Sequence, residues 1–139
     1  MQDNVQNPDE IFGKTISRYT RAQAIADGTL VDVSAMAREA GFRIPVAVTS
    51  AVWTDCVAWT DADSGRQAVQ DERGRLWDLL WMGVLAARRA RGAQHIAYEL
   101  HRVPRGCHGM RPRPVVLNLH ICSGDNTEPV ITILMTDED

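Results

Sequence analysis

A chain of 139 residues, 45% hydrophobic and 24% charged, has the size and make-up of one globular domain with a core of its own. The longest apolar run, Leu76 to Ala87, is interrupted by Asp78 and falls short of the roughly 20 residues of a membrane helix. The polar, acidic opening Met1–Glu10 is not that of a secretory signal, and three irregularly spaced cysteines (Cys56, Cys107, Cys122) make no disulfide framework, so a cytoplasmic setting is expected.

Residues 1–12 read as a flexible acidic arm, 13–136 as a single domain and 137–139 as an acidic tail. Ile16–Tyr19 suits a short extended piece. Thr20 stands where a helix N-cap belongs, with a helix over Arg21–Asp27 stopped by Gly28. Leu30–Val33 is a short strand, Ser34 a second N-cap, Ala35–Ala40 a short helix, and Gly41 its stop. Ile44–Val48 is apolar and β-branched with Pro45 near its start, which predicts an edge strand or the one by which the chain enters the sheet. Thr49 or Ser50 caps a third helix running to about Trp59, with Val52, Cys56 and Trp59 on one apolar face. Thr60–Asp71 is polar and turn-rich and reads as a loop.

The fourth helix has the strongest pattern: Leu76, Trp77, Leu80, Trp81, Val84, Leu85 and Arg88 repeat at helical spacing, and Gly92 follows the last turn. After Gly92 the period becomes two. Ile96, Tyr98 and Leu100 alternate with Ala97, Glu99 and His101, and Val115, Leu117, Leu119 and Ile121 alternate with Val116, Asn118, His120 and Cys122. Between them Pro104–Pro114 is a proline-stiffened loop. A turn at Ser123–Asn126 leads to a last strand, Val130–Met135. The fold class that results is α+β, with N-terminal helices packed on a C-terminal antiparallel meander of three or more strands, which the two early strands can extend.

Four tryptophans, Trp53, Trp59, Trp77 and Trp81, lie on helical apolar stripes. Core packing is the expectation for all four, with Trp59 the one best placed to be an exposed anchor. His101, Cys107, His108, His120 and Cys122 fall on two adjacent strands and their connecting loop. Without a Cys-x-x-Cys or His-x-x-x-His pair they make a weak zinc set, and no metal or cofactor is expected. Cys107-His108 are sequence neighbours, unsuited to act as nucleophile and base. No serine elbow, phosphate loop or dinucleotide fingerprint occurs, so catalysis is not expected.

The charge pattern is more telling. From Arg88 to Arg113 there are seven arginines (Arg88, Arg89, Arg91, Arg102, Arg105, Arg111, Arg113) and one acid, Glu99, a net +6 in a chain of net −3. Guanidinium groups favour planar, bidentate contacts with carboxylates or phosphates. Capping of a helix end accounts for Arg88, Arg89 and Arg91, and solvation is the plain alternative for the rest. No aromatic residue stands between Arg102 and Arg113, and the remainder is acidic, so direct nucleic-acid binding is disfavoured. An acidic face on a protein partner fits this segment better, with the acids Asp61 and Asp63 offering a second surface to a basic one.

The blocks RAQAIADGTLVDV (21–33), AREAGFRIPVAVT (37–49), RLWDLLWM (75–82) and EPVITIL (128–134) resemble an uncharacterised family of short bacterial proteins carried on plasmids, phages and integrative conjugative elements. The resemblance spans about residues 11–136. It implies no catalytic residues. It implies a setting, that of a mobile element's accessory protein, in which small acidic domains inhibit host defence complexes such as CRISPR effectors by stoichiometric contact. Two other readings accompany it: a small metal-assisted enzyme using the sheet's His and Cys residues, and a nucleic-acid-binding regulator using Arg88–Arg113.

Overall fold

The computed structural model describes residues 19–106 and 109–138. The arm at 1–12, most of the Ile16–Tyr19 piece and the Cys107-His108 pair lie outside them. The first helix, α1 (Arg21–Asp27), is capped by Thr20, whose hydroxyl accepts from Gln23 while the Gln23 side chain returns a bond to the Thr20 amide. Gly28, at φ 86°, ends it in the left-handed conformation that a residue with Cβ avoids. Strand β1 (Leu30–Asp32) leads to α2 (Ser34–Ala40). Ser34 is not the N-cap: Val33 holds that position, and the Ser34 hydroxyl donates to Asp32 and accepts from the Val46 amide, tying β1 to the next strand.

Strand β2 (Val46–Thr49) is interior, not an edge. It pairs antiparallel with β1 on one side and parallel with the last strand on the other. Pro45 is tolerated because it precedes the ladder, and its carbonyl still accepts from the Ile131 amide at 2.8 Å. Thr49 caps α3 (Ser50–Val52), which widens after one turn into a π-turn over Trp53–Val57. Thr60–Asp71 is not all loop. Its first half is the short helix α4 (Asp61–Arg66), capped by Thr60 in a reciprocal box with Asp63. The longest helix, α5 (Glu72–Arg89), starts at Asp71, whose carboxylate accepts from the Gly74 amide.

Strands β3 (His95–Arg102), β4 (Arg113–Ser123) and β5 (Pro129–Met135) form the expected antiparallel meander. With β1 and β2 they make one five-stranded mixed sheet in the order β1-β2-β5-β4-β3. Strand β4 starts two residues earlier than the alternation indicated, as Arg113 and Pro114 pair with Arg102 and His101. The result is an α+β fold in which α2, α3 and α5 cover one face of the sheet. Val46, Val48, Ile96, Tyr98, Leu117, Leu119, Ile131 and Ile133 meet Leu76, Leu79, Leu80 and Val84 there. Each fully buried leucine contributes about 1.5–3 kcal/mol through area removed from water. Gly83 sits mid-helix because a Cβ there would stand 3.3–3.4 Å from the Tyr98 hydroxyl and Phe42 ring, too close for an unadjusted fit.

Candidate functional site

The buried arc of α5 runs through Arg75, Leu76, Leu79, Leu80, Gly83, Val84 and Ala86. Trp77 and Trp81, one residue further round, fall off that arc, at 37% and 39% exposure. This overturns the expected burial of both. Their rings stack on each other at a centroid distance of 6.2 Å, 7° from parallel, so each indole shields one face of the other. Trp59 is packed in the core as expected, 5% exposed, and lies under the Arg75 guanidinium at 4.5 Å, so the alternative of an exposed anchor there does not hold. Trp53 is half-buried against the core, as expected of it.

Beside Trp77 an open groove of about 680 Å³ is lined by Met36 of α2, Val69, Gln70, Asp71, Arg73, Gly74, Arg75 and Asp78. Val69 is 88% exposed, so with the tryptophan pair it makes a patch of large apolar groups facing water. Asp78 stands in the groove wall with no hydrogen bond or ion pair among the described residues. The residue is exposed, yet the protein atoms on one side of it desolvate the carboxylate enough to raise its pKa above the usual carboxylate range. Gln70, Arg75 and Asp78 also wall a smaller crevice of about 140 Å³, with Cys56, His101 and Arg102 behind them.

The arginine segment does not form one surface. Arg102 turns inward, gripping both Asp55 oxygens at 3.0 and 3.2 Å and donating to the Arg113 carbonyl, while its Nε finds no partner. Arg105 donates through Nε to Asp63 at 2.7 Å, and Arg66 holds the other oxygen of the same carboxylate at 3.1 Å. Asp63 is therefore not a solvated acid but a buried one, 2% exposed. Burial alone would raise its pKa. Bonds from the Thr60 amide and hydroxyl, together with the Arg105 charge, outweigh that and hold it below the usual carboxylate range. Asp61, Arg88, Arg89, Arg91, Arg111 and Arg113 are exposed. Arg88 and Arg89 occupy the last turn of α5, about two turns beyond Trp81.

Three residues with structural charge of the region went unread in the sequence. Arg75, 5% exposed, donates to the carbonyls of Val57 and Val103 and to the Gln70 side chain, with a longer contact to the Asp55 carbonyl. It thereby satisfies the carbonyl end of the π-turn. Gln67 pins the Pro104–Pro112 loop by donating to the Pro104 and Gly109 carbonyls and accepting from Gly106. Asp55 anchors Arg102. Only Arg75 carried a signal: it lies four and eight residues before Leu79 and Gly83, on the stripe that faces the core.

The histidine and cysteine residues are spread out. His120 pairs in register with His95, their rings stacked at 4.3 Å, whereas His101 lies opposite Pro114 at the other end of the strand pair. Burial and the neighbouring His95 lower the His120 pKa. Cys122 is exposed near the far turn, and Cys56 is buried, its thiol pushed up to about 12 by burial and by Asp55. Among the described residues no three His, Cys, Asp or Glu side chains converge as a metal site. No helix among them is long and apolar enough to cross a membrane.

The stacked tryptophan pair beside an open groove, on a helix that ends in Arg88 and Arg89, is the most prominent exposed feature among the described residues. The chain belongs to a family of unknown function, DUF6573, whose model matches residues 10–139. No curated protein and no solved structure matches it.

Proposed function

We propose that the protein is a stoichiometric binding protein, and that the exposed face of α5 is its docking surface. The observation that carries this reading is the Trp77–Trp81 pair, each more than a third exposed, on a helix whose other side packs into the core. Tryptophan and arginine dominate the energetics of protein interfaces, and a rigid indole pair loses little conformational freedom on binding. Arg73, one turn before Trp77, and Arg88 and Arg89 beyond Trp81 supply oriented charge at the two ends.

The proposed partner is a host defence complex, a CRISPR effector among the candidates, and the protein is a mobile element's cytoplasmic accessory factor that inhibits it. Two things support the target class: the resemblance to proteins of mobile elements, and a net acidic chain suited to the basic surfaces that hold guide RNA or target DNA. The test is interference. A host with an active CRISPR system, challenged with a targeted plasmid, should gain transformants when it expresses the protein and should not when it expresses the W77A/W81A variant. Unchanged interference with the wild-type protein, across the host's defence systems, contradicts the proposed target.

A further inference from the structure

The groove beside Trp77 has a composition that selects its occupant. It is lined by the exposed indole of Trp77 and by the apolar side chains of Met36 and Val69. Asp78, a carboxylate without a partner among the described residues, lines it too, as does Asp71, which caps the helix by accepting from the Gly74 amide. Two arginines also line it. Arg75 is committed to carbonyls and to Trp59, which leaves the exposed Arg73 as the opposing charge.

An aromatic face, an apolar trough and an unpaired acid together are complementary to a cation on an aliphatic stem. Asp78 is exposed and makes no ion pair among the described residues, so its carboxylate is open to such a cation. We propose that this groove receives an arginine side chain of the protein partner, its guanidinium lying over Trp77 and paired with Asp78, its stem against Met36 and Val69. Arginine fits better than lysine, because a planar guanidinium stacks on an indole and still presents two donors edgewise to a carboxylate and to the Gln70 amide oxygen. The fold contains the same arrangement once already, in Arg75 over Trp59 with Gln70 as acceptor. The inference rests on the reading of α5 as the docking face and names the partner chemistry at its centre. It agrees with a partner surface built to hold nucleic acid, since such surfaces are rich in arginine.

The experiment follows the Trp77 indole N–H signal by NMR during titration with N-acetyl-arginine amide, its citrulline counterpart and N-acetyl-glutamate amide. The arginine compound should shift it with saturation at millimolar concentration, and the other two should not. Asp78→Asn should weaken that binding at least about tenfold, the worth of one charge-assisted contact, with an unchanged circular dichroism spectrum. Equal response to citrulline, or an Asp78→Asn variant that binds as the parent does, overturns the inference. A response to glutamate alone overturns it too, handing the groove to Arg73 and an acidic partner. If arginine fails to bind while W77A/W81A still abolishes inhibition, the docking face stands and only its proposed occupant falls. If arginine binds and W77A/W81A inhibits like the parent, the groove holds cations but not the partner's arginine, and the docking face and its proposed occupant both fall.

Discussion

Asp63 shows how far a single carboxylate's role depends on its neighbours. Its folded-state pKa lies below the unfolded value, so its contribution to stability is present above the unfolded pKa of roughly 3.9 and is lost as pH falls through the folded value. Asp63→Asn should therefore lower the melting temperature at pH 7 and flatten its dependence on pH below about 4, measured by thermal unfolding across a pH series. Arg105→Glu should be worse than Asp63→Asn, because it sets a second carboxylate against a buried one. By contrast, reversing the exposed Arg88, Arg89, Arg91, Arg111 and Arg113 should shift the melting temperature little, since none makes an ion pair among the described residues. Arg75→Met should cost about 3 kcal/mol or more, as several buried carbonyls lose a charged donor at once. None of this divergence among arginines is visible in the sequence, where all seven of the basic segment look alike. The acids that capture Arg102 and Arg105 lie some forty residues upstream, at Asp55 and Asp63.

At the scale of elements, local signals were read well where a cap, a period and a stop agreed. Thr20 with Gly28 bounds α1 within one residue, and the alternation around Tyr98 and Leu119 gives β3 and β4. Two misreadings have one cause each. Thr60–Asp71 looks like loop in the sequence because α4 presents no apolar stripe. Its buried side is polar, Asp63 and Gln67 serving the Pro104–Pro112 loop. Trp77 and Trp81 look like core in the sequence because apolar residues occur nearly all round α5, and hydrophobicity alone does not say which arc the sheet takes. The parallel pairing of β2 with β5 joins residues more than eighty positions apart, beyond the reach of any local pattern. The exposure of Trp77 and Trp81 has a stability consequence. Trp77→Ala or Trp81→Ala should cost only about 1 kcal/mol, and Trp59→Ala about 3–5 kcal/mol, measured by denaturant unfolding. A Trp81→Ala loss equal to that at Trp59 would mean that the indole pair is packing and not display.

For the whole molecule, one face of the mixed sheet and one arc of α5 are consumed by the core, and the opposite arc of α5 presents two indoles, a free acid and flanking arginines. The measurement that tests this most directly is quantitative affinity capture from a host carrying its defence systems, with the parent and W77A/W81A as matched baits. The predicted result is that the parent retains one defence complex at fixed stoichiometry, that salt weakens the retention, and that the folded double variant loses it by at least about a hundredfold in affinity. Equal retention by the two baits, or no stoichiometric protein partner for the parent, would contradict the reading of α5 as a docking surface.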